Sequence, residues 1–374
     1  MVSNEHNERY QRQVILQEFG EAGQQKLLQA KVLVIGAGGL GCPVLQYLAA
    51  AGVGVVGIAD DDIVSLTNLH RQVLYSMSDI GKSKVERAAA ILRQLNPDIE
   101  IIPYHLRLTN KNALDIIAAY DIVVDATDNF PTRYLLNDAC VLLSKPLIYG
   151  AVSKFEGQVA VFNGVGSSGE KSVNYRDLFP VPPQEDEVPN CAEAGVLGVL
   201  PGIIGSLQAG EVIKLITGIG QPLINCLQTF NLLTNEWYTS ELTKSAETAA
   251  FLPKDRAAFL NMDYEWSCAV EDFSEINAAD FNRLLDKNGV TVIDVRERGE
   301  QPLINEFEHL QLPLAQLNEG LSLLKGDIII AVCQSGKRSK QAARLLCNTF
   351  PSKKIYSLQG GIVGWKQQFQ KEKL

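Results

Sequence analysis

The chain contains no Cys-x-x-Cys pair and only four histidines, so nothing in the spacing supports a structural zinc site. Its seven cysteines, an odd number scattered from Cys42 to Cys347, do not form a disulfide framework. They are expected to be free thiols, mostly buried and inert. No apolar run approaches the length of a spanning helix. The nearest, Val196 to Leu207, is interrupted by Pro201 and three glycines. Met1 to Tyr10 is polar and has no signal-peptide core, which gives a cytoplasmic expectation. Positive charge is scarce: 34 Lys and Arg against 43 Asp and Glu leave a net charge of −9. That balance disfavours a general nucleic-acid or membrane-surface role but leaves room for a local basic pocket.

What is present reads as two α/β domains. At 374 residues the chain exceeds one ordinary core. Lys31 to Ile35, Val55 to Ala59, Ile99 to Tyr104 and Ile122 to Asp125 are short apolar strands. They alternate with helical stretches Leu40 to Ala51, Lys82 to Leu95 and Asn112 to Ala119. Such alternation predicts a doubly wound, mostly parallel sheet covered on both faces. Pro180 to Pro189 is an acidic-centred loop expected to move, and Val196 to Leu215 suggests a buried helical hairpin. Composition shifts near Glu241. The expected division is a first domain over 1–242, a linker with some helix over 243–272, and a small α/β domain over 273–374. The last contains helix Ala278 to Leu285, strands Val290 to Val295 and Ile328 to Val332, helix Lys337 to Asn348 and strand Lys354 to Leu358.

Gly36-Ala37-Gly38-Gly39-Leu40-Gly41 ends the first strand and opens a helix. Glycines there let the backbone approach phosphate oxygens, and the helix start supplies free N–H groups. Asp60 follows at the end of the second strand, where a carboxylate grips ribose hydroxyls. The bare motif points to a dinucleotide site or to another nucleotide. Cations gathered around it turn the balance: Arg9, Arg12, Arg71 and Lys84, with Asn68 beside them, suit a triphosphate from which pyrophosphate departs. Asp128, just beyond the fourth strand, is either a Mg²⁺ ligand or a helix N-cap.

Taken in order, Arg9-Tyr10-Gln11-Arg12-Gln13, the glycine turn, Ser65-Leu66-Thr67-Asn68-Leu69-His70-Arg71-Gln72, Ala126-Thr127-Asp128-Asn129 and Cys191-Ala192-Glu193-Ala194-Gly195-Val196 resemble the ThiF/MoeB family. These adenylyltransferases activate sulfur-carrier proteins and are relatives of the ubiquitin-activating enzymes. The match runs from about Glu8 to Glu241. The resemblance implies a homodimer that binds ATP and Mg²⁺. Its nucleotide set would be Gly36, Gly38, Gly39, Gly41, Asp60, Asp62, Thr67, Asn68, Leu69, His70, Arg71, Lys84, Asp128 and Asn129. Asp128 would position the metal, and Arg12 would reach into the partner subunit's site. The substrate implied is a ubiquitin-like carrier with a Gly-Gly tail, whose carboxylate becomes an acyl-adenylate. Molybdopterin, thiamine and tRNA thiolation are all open as pathways.

Cys191 matches a family cysteine that in some members links covalently to the carrier; the alternative is a semi-buried structural thiol. One departure stands out. Most relatives carry two Cys-x-x-Cys pairs that hold zinc, whereas here the first place reads Asn174-Tyr175-Arg176-Asp177, and no second pair follows Trp237. No zinc is expected, with the fold there held by packing alone.

Cys333-Gln334-Ser335-Gly336-Lys337-Arg338-Ser339 follows an apolar strand and leads into a helix. Inward N–H groups and two cations favour a thiolate there, suited to a persulfide or to a phosphate oxyanion. Ile293-Asp294-Val295-Arg296-Glu297 upstream and Leu358 to Trp365 downstream make about Phe273 to Phe369 resemble a rhodanese domain, although glycines expected around His309 are missing. The short loop fits sulfur transfer, with Cys333 as persulfide carrier and an unidentified sulfur donor. Two rivals remain: an NAD-dependent oxidoreductase, from the glycine turn alone, and a non-catalytic scaffold for a ubiquitin-like partner.

Overall fold

The computed structural model describes residues 4–166, 169–182, 195–264, 273–285, 287, 289–317, 320–350 and 353–371. The chain divides into two compact units, 1–267 and 268–374.

In the first unit, helices α1 (Asn4–Val14) and α2 (Gly20–Gln29) precede strand β1 (Lys31–Ile35). There follow α3 (Gly41–Ala51), β2 (Val55–Ala59), α4 (Lys84–Leu95), β3 (Glu100–Tyr104), α5 (Ala113–Ala118) and β4 (Ile122–Asp125). Next come α6 (Phe130–Leu143), β5 (Leu147–Ser153), β6 (Glu156–Phe162), α7 (Tyr175–Leu178), α8 (Val199–Thr217), β7 (Cys226–Asn231) and β8 (Glu236–Glu241). The eight strands lie in the order β3-β2-β1-β4-β5-β6-β7-β8, parallel through β5 and antiparallel beyond. The expected doubly wound sheet is therefore present. Strand order reverses at β1 and β4, and such a switch point opens a crevice at the strands' carboxyl ends. Val32, Leu33 and Val34 are fully buried because a central parallel strand is covered on both faces.

Val199–Thr217 is one helix, not the expected hairpin. Pro201 falls in its first turn, where a missing N–H costs nothing. Gly205 lets the helix approach α3, since a Cβ there would lie 2.3 Å from Leu40 O. By length and composition this helix could cross a membrane, but its buried face packs on α3, β5 and β6.

The stretch read as a linker differs from expectation as far as Tyr264. It carries a 3-10 turn (Glu247–Phe251) and helix α9 (Arg256–Asn261), and packs on the first unit. Phe259 is fully buried among the residues under α5 and α6. Arg256 pairs with Asp115 at 2.8 Å, and Asn110 Nδ2 donates to the carbonyls of Leu260 and Met262 at 2.8 and 3.0 Å.

The second unit holds β9 (Ser274–Ile276), α10 (Ala278–Leu285), β10 (Val290–Asp294), β11 (Leu310–Gln311), β12 (Ile328–Val332), α11 (Lys337–Thr349), β13 (Lys354–Leu358) and α12 (Gly361–Lys371). Its sheet is all parallel, in the order β11-β10-β12-β13-β9. Trp365, Phe281 and Phe307 meet edge to face on one side of it.

Candidate functional site

The glycine turn lies at the reversal of strand order. Gly36 takes φ +96°, and a Cβ there would sit 2.6 Å from Ala126 O. At Gly41 a Cβ would sit 2.0 Å from Gly36 O. The turn is thus folded on itself and against the Ala126-Thr127-Asp128-Asn129 segment, so only glycine fits at both places. Gly38 and Gly39 are more open: a Cβ on Gly38 would lie 3.5 Å from Gln72 Nε2, and one on Gly39 3.2 Å from the Pro201 ring and 3.5 Å from the Arg71 side chain.

Asp60 Oδ2 accepts the Ala37 N–H at 2.7 Å, and Oδ1 accepts the Asp62 N–H at 2.8 Å. Burial pushes the Asp60 carboxyl above its ordinary value, against the pull of Lys84 and these two N–H groups. Lys84, itself buried, donates to Asp62 Oδ2 at 2.8 Å. Tyr75, which sequence reading missed, ties the pieces together: its hydroxyl contacts Ala37 O at 2.9 Å and Lys84 O at 3.3 Å. Thr67, Asn68, Leu69 and His70 form a 3-10 turn and its exit, and Arg71 Nη1 donates to Thr67 O at 3.1 Å. His70 rests against the start of α8, where a Cβ on Gly198 would lie 2.2 Å from His70 O. Glycine turn, Asp60, Asp62, Arg71 and Lys84 therefore gather in one place. Arg12 is exposed on α1, and among the described residues no hydrogen bond joins it to them.

At the end of β4 the two readings of Asp128 separate. The N-cap of α6 is Asn129, whose Oδ1 accepts the Thr132 N–H at 3.0 Å. Asp128 is exposed and is not that N-cap. Behind it stands Arg133, also missed in the sequence because its partners are made only by folding. Arg133 donates to Asp125 Oδ2 (3.1 Å), Thr127 O (3.2 Å) and Gly150 O (3.4 Å), and lies 4.9 Å over the Tyr149 ring. It braces the segment that presents Asp128.

Cys191 lies outside the described residues. Asn174, Asp177 and their neighbours offer no thiolate, and both Asp177 carboxylate oxygens already accept hydrogen bonds. These residues do not fit zinc. The expectation of packing alone is corrected: a polar network holds this region.

In the second unit, Cys333 sits just past β12, nearly inaccessible, and its Sγ accepts the Gly336 N–H at 3.2 Å. Ser339 Oγ lies 3.5 Å from the sulfur and 2.9 Å from Ser357 Oγ. The loop backbone is pinned to the start of α12 by Ile362 N–H to Cys333 O (2.8 Å) and Val363 N–H to Gln334 O (3.1 Å). Gly361, at φ +60°, allows this approach; a Cβ there would be 2.5 Å from Cys333 O. Arg338 is held two-pronged by Glu300 from the loop after β10. That pairing draws the Glu300 carboxyl below its ordinary value. Arg296 likewise grips Asp294, and both are buried. The side chain of Lys337 lies outside the described residues. Near His309 the chain forms β11 and a 3-10 turn (Leu314–Gln316).

Residues 10–250 match the ThiF family and residues 277–368 a rhodanese-like domain. A "Sulfur carrier protein adenylyltransferase" of Thermus thermophilus is 54% identical over 62% of this chain and 85% of its own length. "Probable adenylyltransferase/sulfurtransferase MoeZ" of Mycobacterium tuberculosis is 40% identical over 99% of this chain and 95% of its own. A crystal structure of E. coli MccB with MccA-N7isoASN superposes with a TM-score of 0.56 at 25% identity, covering 65% of this chain and 74% of that one. The nucleotide-type crevice and the cysteine loop, taken with relatives aligned end to end, place this chain in the ThiF family, with a rhodanese-like domain following its ThiF domain.

Proposed function

We propose that this chain uses ATP to adenylate the C-terminal carboxylate of a ubiquitin-like sulfur-carrier protein, and that Cys333 then delivers sulfur to the activated carbonyl. The observation that carries the reading is one chain bearing both a glycine-turn crevice gathered around Asp60 and Lys84 and a cysteine loop with an N–H aimed at sulfur. Relatives named for both activities, adenylyltransferase and sulfurtransferase, align with its whole length.

A carboxylate is a poor acyl donor until one oxygen becomes a leaving group. Its attack on the α-phosphorus of ATP forms the acyl-adenylate and expels pyrophosphate. Free N–H groups of the glycine turn and the cations Arg71 and Lys84 face the phosphates, with Asp60 on the ribose. Asp128 would hold Mg²⁺, which neutralises phosphate charge when bound. Arg12 would complete the site of a partner subunit in a homodimer, and the protein would work in the cytoplasm.

The outer sulfur of a Cys333 persulfide then attacks the acyl carbonyl, and AMP leaves. A thiolate, from Cys191 or an external thiol, attacks the Cys333 sulfur of the acyl disulfide. The thiocarboxylate departs, and the new disulfide on Cys333 is reduced by further thiol.

The deciding experiment is the intact mass of candidate diglycine carriers after incubation with ATP, Mg²⁺ and a sulfur donor. Wild type exchanges one carrier oxygen for sulfur. Cys333→Ser retains carrier-dependent ATP–pyrophosphate exchange but yields no thiocarboxylate. Absence of exchange with every diglycine carrier of the host would refute the reading.

A further inference from the structure

Two Cys-x-x-Cys pairs are missing from this chain, and in the fold the place of the first, Asn174 to Asp177, meets a second turn of the same spacing. Asn174 and Asp177 begin and end one short turn, and Ser245 and Thr248, with the same spacing of three, begin and end another. The two turns are 68 to 71 residues apart in sequence and meet face to face on Asp177. Asp177 Oδ1 accepts the Ser245 N–H at 3.1 Å and the Thr248 hydroxyl at 2.6 Å. Asp177 Oδ2 accepts the Asn174 N–H at 2.8 Å and its Nδ2–H at 2.7 Å. One carboxylate thus takes four donors, two of them from across the junction.

A second tier backs the first. Arg176, between Asn174 and Asp177, grips Asp138 through two bonds of 2.7 Å, and the Tyr264 hydroxyl donates to Asp138 Oδ2 at 2.7 Å. Asp138 is fully buried and Arg176 nearly so, so each charge depends on the other. The segment reaching from Ser245 to Tyr264 is fastened at both ends by these two aspartates.

Two x-x-spaced pairs brought together by the fold have the topology in which cysteine pairs would hold a tetrahedral metal. Here the Asn174 amide, the Asp177 carboxylate, the Thr248 hydroxyl and the backbone N–H of Ser245 meet instead. Cys140 is the one cysteine lining the adjoining cavity, and a single thiol does not make a thiolate zinc site.

We infer that Asp177 is the centre of a metal-free knot, in which one carboxylate accepting four hydrogen bonds does the joining that a bound zinc would do. The segment 245–264 then stays on the sheet without metal. Its attachment answers to mutation of Asp177 or Thr248, not to chelators.

The test uses the full chain. Wild type purified from zinc-supplemented culture is expected to contain no stoichiometric zinc, and its melting temperature is expected to be the same with and without a strong chelator. Zinc at one per chain with a chelator-sensitive melt overturns the inference. Thr248→Val keeps the shape but strips one donor from Asp177; melting is expected to fall by about 4–8 °C. An unchanged melt would show that the knot carries no load. The quadruple variant Asn174→Cys, Asp177→Cys, Ser245→Cys, Thr248→Cys, produced with zinc, is expected to bind one zinc per chain and to become chelator-sensitive. If it folds yet binds none, the corners do not converge as inferred.

Discussion

Asp60 Oδ2 holds the backbone N–H of Ala37 at 2.7 Å, so the acid that ends one strand is joined to the glycine turn that ends its neighbour. On the proposed reading, the groups that would meet ribose and phosphate are thereby tied to each other. Replacing Asp60 by Asn removes the charged acceptor and is expected to weaken ATP about ten- to a hundred-fold by isothermal titration. Because burial raises this carboxyl above its ordinary 3.8, Asp60 favours the fold at low pH. That contribution fades as pH rises from 3.8 through the raised value. Asp60→Asn should therefore lose less melting temperature than wild type between about pH 4 and about pH 7.

The glycines of the turn are expected to separate into two classes. A methyl at Gly41 would meet Gly36 O at 2.0 Å, backbone against backbone. Gly41→Ala should cost about 3 kcal/mol or more in urea unfolding. A methyl at Gly38 meets only Gln72 Nε2 at 3.5 Å. Gly38→Ala should fold normally and still lose ATP affinity, because the methyl stands where phosphate must approach.

Arg133 answers the buried Asp125 and the carbonyls of Thr127 and Gly150. Arg133→Met leaves Asp125 buried without its cation, with only the Thr127 N–H and hydroxyl as donors, at an expected cost of about 3–5 kcal/mol. Adding Asp125→Leu should recover much of the stability but not the adenylation rate, since the turn presenting Asp128 stays unbraced. Denaturant melts and pyrophosphate exchange on the same samples distinguish the two effects.

In the second unit, Glu300 occupies the cation nearest the thiol in sequence whose side chain is described, Arg338. Glu300→Gln should loosen that grip and lower the KM for thiosulfate about three- to tenfold. Hydrogen bonding from Arg338 lowers the Glu300 pKa, so the pair's contribution is present above the ordinary 4.5 and is lost as pH falls through the lowered value. In the variant this acid-limb loss of stability should be smaller, as read by melting temperature against pH.

Much of this was legible in the chain itself. Strands Lys31–Ile35, Val55–Ala59 and Ile328–Val332 fall where β-branched runs between helices put them, because a buried parallel strand must be apolar on both faces. The antiparallel strands β6 to β8 carried no such signal. β8 is exposed throughout, so its residues need not be apolar, and its place comes from pairing with β7. Val196 to Leu215 reads as a hairpin when Pro201 and the glycines are taken as breaks, whereas Pro201 in the first turn and the close approach of Gly205 to α3 make them compatible with the single helix Val199–Thr217.

Local sequence determined the glycine turn, the cysteine loop and the strands that carry them, since each needs a residue type set by its own backbone or its own burial. Tertiary structure alone decided that Arg133 answers Asp125, that Tyr75 bridges Ala37 and Lys84, and that Asp177 receives Ser245 and Thr248. A buried charge or hydroxyl is read as polar in any sequence. Which distant partner satisfies it is fixed only when the sheet brings the two together, where leaving either one unpaired would cost more than the bond returns.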